Sequence, residues 1–346
     1  MQTTGQMTWH YDNRRPLGVL RHSSDGQAWK NFNQVHPNFA VEPRNIRLGL
    51  CSDGCNLYIQ ASAKPYSCWP VIVTPYNLPP EMCISRPYMF LSCLIPGPHN
   101  PKARIDVYLQ PLIDDLKKLW SSVQTYDVSR KQNFMMRASL MWTINDFPAY
   151  GMLSGWGTQG KLACPYCMEH TKAFRLEHGK ENSWFDSHRR FFPNTHTFRK
   201  NKKAFIKAKV EMVGPPSMLT SEEVYHTVKN VPTIIDEPYM SKLLGYGEWH
   251  NWTKRSIFWD LPYWKDNLLR HNLDVMHIEK NFFDNIFNTV IDVKGKTKDN
   301  DRARKDLSLY CWRPDLELKL QSNGKSLKPK ANYTLDFKTE SKLYFN

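Results

Sequence analysis

Two aspartates in this sequence stand where apolar runs stop. Asp53 follows the alternating run at 45–52 (NIRLGLCS), and Asp146 closes the run at 135–144 (MMRASLMWTI) within two residues. Carboxylates converging from separate strand ends can hold two divalent cations about 3.5–4 Å apart, one for each of the attacking and leaving oxygens of a phosphoryl transfer. Each acid also has a plainer use. Asp53-Gly54 is a turn signal, and Asp146 ahead of Pro148 is a helix cap. A further acid on a helical repeat, Glu279, is ordinarily a solvated residue. Spacing alone does not choose between these uses.

A second constellation is Cys164-Pro165-Tyr166-Cys167. A Cys-x-x-Cys turn places two thiolates for tetrahedral zinc and needs two further ligands. His188 and His196 are the candidates, with His170 and His178 as competitors. A redox use of the pair lacks the strand-to-helix apolar context it needs. A structural Zn²⁺ here would pin an insertion too loop-rich to fold on its own core. Just beyond His196, the residues Arg199, Lys200, Lys202, Lys203, Lys207 and Lys209 form the densest basic run. They are either a solvated face or a DNA-binding surface that contacts phosphates. The tryptophans within 248–264 could stack on unpaired bases, but they flank an apolar helical repeat, which favours core packing.

The elements that must position these groups follow from periodicity. The run at 45–52 puts Ile46, Leu48 and Leu50 on one face of a strand. Residues 67–74 (SCWPVIVT) and 88–95 (YMFLSCLI) are two more strands, each bounded by prolines. Helical spacing covers Ile105 to Val123, through Val107, Leu109, Leu112, Ile113, Leu116, Leu119 and Trp120, and the strand-like run at 135–144 follows. The order strand, strand, strand, helix, strand implies an α/β fold with a mixed sheet containing a parallel pair. Residues 1–45 have little periodicity and are expected to be irregular. Residues 46–156 form the first part of the core, and 157–262 read as a loop-rich insertion. Residues 263–293 carry a helical repeat through Leu268, Leu273, Phe282 and Ile286. The tail at 294–346 is polar and expected to be only partly ordered.

With 346 residues, 41% hydrophobic and 13% aromatic, the chain can bury a substantial core. The net charge of +14 favours a polyanionic partner. No apolar run approaches the roughly 20 residues needed to span a bilayer, so no membrane role is expected. The 8 cysteines are mostly scattered through apolar stretches, as buried thiols in a reducing compartment would be.

Long stretches of the chain resemble the transposases of plant CACTA-type (En/Spm) transposable elements. They include LGLCSDG at 48–54, YSCWPVIVTPYNLPPEMC at 66–83 and YMFLSCLIPGP at 88–98. The likeness continues through RIDVYLQPLIDDLKKLW at 104–120, MWTINDFPAYGMLSGWGTQGKLACPYCMEHTKAF at 141–174 and HRRFFPNTHTFRK at 188–200. It extends across 252–300 and so covers roughly residues 8–310. The resemblance implies an RNase H-like mixed sheet with flanking helices, interrupted by a zinc-knuckle insertion. It also implies a DDE/D-type nuclease that uses Mg²⁺ or Mn²⁺ for DNA recombination in the nucleus. The first two acids map onto Asp53 and Asp146. The third lies in LDVMHIEKN, where Glu279 is the choice and Asp274 the alternative. The zinc ligands map onto Cys164, Cys167, His188 and His196. DNA at element ends and targets, and a second copy of the chain, are the implied partners. The chain is expected to be a truncated copy, either active or a silent DNA-binding remnant.

Overall fold

The computed structural model of the protein describes residues 2–16, 18–56, 66–184, 186–205, 210–233 and 243–335. The chain divides into two compact units. The first joins Met1–Thr158 to Met218–Asp274, and the second joins Gln159–Ser217 to Val275–Asn346. The expected insertion is therefore shorter than its composition suggested, because residues 218–274 return to the first unit.

In chain order the strands are β1 (Ile46–Ser52), β2 (Cys55–Asn56), β3 (Ser67–Pro75), β4 (Phe90–Ile95), β5 (Val123–Asp127), β6 (Gln132–Met136), β7 (Ala138–Asn145), β8 (Ala173–Arg175), β9 (Asn182–Trp184), β10 (His271–Leu273), β11 (Lys319–Leu320) and β12 (Ser326–Leu327). The main sheet of the first unit is mixed. β4 lies antiparallel to β3, and β3 antiparallel to β1. On its other side β1 runs parallel to β7, and β7 parallel to β10. A helix crosses between β4 and β7, as a parallel β1–β7 pair requires. The hairpin β5–β6, which fills the rest of that crossover, was not anticipated from sequence.

β7 (ASLMWTIN) is buried along nearly its whole length, as expected of a strand with parallel neighbours on both sides. Against it packs the helix Ile105–Ser121, which buries Ile105, Leu109, Ile113 and Leu116 at helical spacing. β1 departs from simple alternation. Its pairing with β7 shifts between Leu48 and Gly49, and the buried residues are Arg47, Gly49, Leu50 and Ser52. The extra residue of that bulge is Met141 on β7. β1 pairs with β3 without a shift, so Ile46, Leu48 and Leu50 do share one face, and β1 buries residues on both of its faces. A side chain at Gly49 would collide with the Tyr76 ring.

The segment after Met218 is anchored by a buried ion pair. Lys254 Nζ donates to Asp106 Oδ1 at 2.6 Å and to the Ala103 carbonyl at 3.0 Å. Trp252, Phe258, Trp259, Tyr263 and Trp264 are buried behind it, which is the packing use expected for this block; Trp249 is exposed. Backbone groups of β7 upstream of β10 are met by side chains. Leu140 N–H donates to the Tyr263 hydroxyl at 2.9 Å, and Asn267 Nδ2 donates to the carbonyls of Leu140 and Met141.

Two expectations need correction. Residues 2–45 are largely helical, with a helix at Gln27–Val35 that buries Trp29 and Phe32. The repeat at 263–293 is not one helix. A 3₁₀ turn at Trp264–Asp266 and strand β10 precede the helix Val275–Val290. Apolar residues three and four apart cannot distinguish a helix from a turn and a short edge strand that happen to bury the same residues.

In the second unit β8 pairs with β9 and β11 with β12. The polar tail contains the helix Asp301–Tyr310, whose Arg304 grips Asp299 with two bonds of 2.7 Å. Asp306 of the same helix accepts from the N–H groups of His178 and Gly179 at 2.8 and 2.7 Å.

Candidate active site

Asp53, Asp146 and Asp274 each stand one residue beyond the C-terminal end of a strand, β1, β7 and β10 respectively. Those strands are adjacent and parallel. Cys51 lies opposite Ile144, and Leu273 lies opposite Asn145. Continuing both registers puts the three aspartates on one level across neighbouring strands, whose typical separation is about 4.8 Å. The Cys51 thiol is pushed up first by burial and then by the charges of Asp53 and Asp274, so both carboxylates act on one point.

The plainer uses of these acids fare differently. Asp146 does cap the helix Phe147–Ser154, accepting from Ala149 N–H at 2.8 Å. Asp53-Gly54 is not a hairpin turn. Ser52 pairs with Val71 and Cys55 with Cys68, so β2 continues the register of β1 along β3. Gly54 is required by close approach, because a Cβ there would lie 2.8 Å from the Trp69 ring. Asp53 Oδ1 accepts from Gly54 N–H at 2.6 Å.

Sequence reasoning missed the residue beneath the acids. Asn145, 3% exposed, accepts from Ser52 N–H at 3.1 Å through Oδ1 and donates to Thr143 Oγ1 at 2.9 Å through Nδ2. Thr143 Oγ1 is bonded in turn to His271 Nδ1 at 2.8 Å. The Asn145 carbonyl accepts from Asp274 N–H at 2.8 Å. One polar network thus ties β1, β7 and β10 just below their aspartates. Burial holds His271 down at about 3, with Arg270 and Lys254 acting in the same sense, so its ring is neutral. The available signal was the asparagine and threonine near the end of a strand whose only other polar residue is Ser139, since buried polar groups are normally bonded.

Residues 17–231 match the family described as "Transposase family tnp2". The chain belongs to that family. No curated protein and no solved structure matches it. The span that places it among the tnp2 transposases contains Asp53, Asp146 and the Cys-x-x-Cys turn, and it ends before Asp274 and Glu279. Glu279 is an exposed residue of the helix Val275–Val290 in the second unit, whereas Asp274 belongs to the first unit with Asp53 and Asp146. Among the described residues no three His, Cys, Asp or Glu side chains are gathered as a metal cluster. No described helix is long and apolar enough to cross a membrane.

In the second unit of this tnp2 chain Cys164 and Cys167 do come together. Cys167 N–H donates to Cys164 Sγ at 3.4 Å, and burial together with the Cys164 thiol pushes Cys167 up to about 12. His196 is engaged otherwise. Its ring stacks on Phe192 with centroids 4.2 Å apart, and Nδ1 accepts from Phe198 N–H. His170 and His178 are exposed. The His188 side chain lies outside the described residues. The expected four-ligand set is thus assembled only as its thiol half among the described residues.

The basic run separates into two kinds of residue. Lys200, Lys202 and Lys203 are exposed, while Lys207 and Lys209 lie outside the described residues. Arg199 is a correction. It is 2% exposed, and its guanidinium donates to the carbonyls of Glu211, Arg190, Phe192 and Val213 at 2.9–3.1 Å. A guanidinium spent on four carbonyls knots the surrounding loop together and is not available to DNA.

Proposed function

We propose that this chain is the catalytic core of a CACTA-type (En/Spm) cut-and-paste transposase. In this reading an RNase H-like sheet carries a DDE/D carboxylate set that hydrolyses a phosphodiester at an element end. The freed 3′-hydroxyl then attacks a phosphodiester of target DNA, and the target strand's own 3′-oxygen leaves as a hydroxyl. The observation that carries this reading is the alignment of Asp53, Asp146 and Asp274 on one level across three adjacent parallel strands. The mixed sheet with helices beside it supports the fold assignment.

Carboxylate oxygens are hard donors, so this set suits Mg²⁺ or Mn²⁺ better than a thiolate-seeking metal. Such ions, when bound, supply charge neutralisation for the attacking and leaving oxygens. Asp53 and Asp146 would hold them, and the third carboxylate would come from Asp274, which shares their level. It stands in place of the Glu279 expected from the sequence, which becomes the alternative from the following helix. The Asn145 network keeps the three strand ends in register. Asp146 must share its carboxylate between this task and its helix cap. Lys200, Lys202 and Lys203 contact the DNA backbone without choosing sequence. Cys164 and Cys167 fit half of a structural zinc site, which takes no part in the chemistry. Work on chromosomal DNA places the protein in the nucleus, and pairing of two element ends calls for a homo-oligomer.

The test is metal-dependent cleavage of terminal-repeat DNA by wild type, Asp53→Asn, Asp274→Asn and Glu279→Gln. Loss in Asp53→Asn supports the assignment, and whichever of the other two abolishes cleavage is the third acid. Equal cleavage by wild type and Asp53→Asn sinks it. A second reading, a silent DNA-binding remnant, is favoured by the hydrogen bonds that Asp53 and Asp146 accept from backbone N–H groups. It predicts salt-dependent DNA binding with no cleavage in either metal.

A further inference from the structure

Arg47, the second residue of β1, is 1% exposed and has no acidic partner among the described residues. Its Nη2 donates to Asn33 Oδ1 at 2.7 Å, and Nη1 lies 3.3 Å from the Asn45 carbonyl and 3.4 Å from His10 Nε2. Trp29 and Phe39 present their rings to the guanidinium, with centroids 4.7 and 5.0 Å away. Its Nε is buried without a hydrogen-bond partner among the described residues. Burial alone pulls its pKa down to about 9. Leaving a buried cation uncompensated is costly. Of the other buried cations, Lys254 holds Asp106 at 2.6 Å and Arg304 holds Asp299 at 2.7 Å, while Arg199 has its guanidinium filled by four carbonyls. Arg47 has neither an acid nor a full set of acceptors among the described residues.

Arg47 lines a cavity of about 390 Å³, whose wall also includes Arg14, Arg15 and Lys30. The acid in that wall, Asp25, is already used. It accepts from the N–H groups of Arg21 and His22 at 2.9 Å and from Arg15 at 3.4 Å. The wall therefore carries four cations against one satisfied carboxylate.

We propose that this cavity binds a phosphate group, with Arg47 at its base and Arg14 and Lys30 at its mouth. Phosphate fits better than a carboxylate because a dianion balances more of the surplus charge and offers acceptors to several donors at once. The site is distinct from the row of aspartates. Arg47 lies near the start of β1 and Asp53 just beyond its end, six residues on and roughly 20 Å away at about 3.3 Å per residue. The phosphate has two sources, a small soluble phosphate or the backbone of DNA.

The experiment measures thermal stabilisation and calorimetric binding of inorganic phosphate by the full chain, at constant ionic strength against sodium chloride. Wild type is compared with Arg47→Gln and with the double variant Arg14→Ala/Lys30→Ala, whose side chains are both exposed. Wild type is expected to bind and gain stability as phosphate increases. The double variant should bind roughly tenfold more weakly or worse, given the strength of charge-assisted bonds, and Arg47→Gln should not bind. If Arg47→Gln fails to fold, the double variant decides. A short DNA duplex identifies the source. Weakened duplex binding in the same variants, with competition by free phosphate, points to DNA; unchanged duplex binding points to a soluble phosphate. No phosphate binding beyond the chloride control, or equal binding by wild type and the double variant, overturns the proposal.

Discussion

Asn145→Ala is the perturbation that best tests how the aspartates are held. The truncation leaves Ser52 N–H, buried at 3% exposure, without its acceptor. An orphaned buried donor costs about 1–3 kcal/mol. The bond to Thr143 Oγ1 goes as well, although that hydroxyl keeps His271, so this loss is nearer the ordinary net value of about 0.5–1.5 kcal/mol. Together the first unit should lose about 1.5–4.5 kcal/mol. The bond from Asp274 N–H to the Asn145 carbonyl survives, because it needs no side chain. Urea unfolding followed by tryptophan fluorescence reads this unit selectively, since all tryptophans except Trp184 and Trp312 lie in it. Below the unfolding transition, metal-dependent cleavage should fall in the same variant, because Asp53 follows directly on the strand end that Asn145 pins. A stability change under about 0.5 kcal/mol, the range of an unremarkable surface substitution, would refute the bracing role.

Asp146→Asn should retain stability within about 0.5 kcal/mol, since Asn caps helices as well as Asp, while Asp146→Ala costs about 1 kcal/mol. Both should lose cleavage, and wild-type turnover by the Asn variant would remove Asp146 from the metal set. Arg199→Gln should destabilise the second unit by about 1–3 kcal/mol with its carbonyls orphaned, leaving the salt dependence of DNA binding unchanged. The triple change of Lys200, Lys202 and Lys203 to Ala should do the reverse, lowering the salt slope by about 0.9 for each DNA phosphate no longer neutralised; a slope moved by Arg199→Gln instead would contradict this division. His271 and His10 are both held down near 3 by burial. Between about 3 and the ordinary value near 6.5 the unfolded chain binds protons that the folded chain does not, so stability falls as pH drops through that window, by up to about 1.4 kcal/mol per unit per histidine. Melting temperature against pH should show this fall, and His271→Gln should make it shallower; an unchanged slope would count against its buried neutral state.

Where neighbours in sequence decide structure, the sequence alone was sufficient. Apolar period and proline boundaries located β1, β3, β4 and β7, and the helix Ile105–Ser121, because side chains two or four residues apart respond to the same local geometry. The same patterns placed Asp53 and Asp146 at strand ends and assigned most of the 248–264 tryptophans to the core. Tertiary structure decided what depends on residues far apart in the chain. Strand β10 lay hidden in a helical repeat because its reason for being a strand is β7, more than a hundred residues earlier. Asp53-Gly54 looked like a turn until β3 paired with both sides of it. Arg199 looked like a DNA contact until loop carbonyls from 190 to 213 closed around it. Asn145 became the tie between three strand ends only when Ser52, Thr143 and Asp274 met it. Short-range periodicity reports which face of an element is buried; it carries no record of which distant backbone groups a buried polar side chain must satisfy.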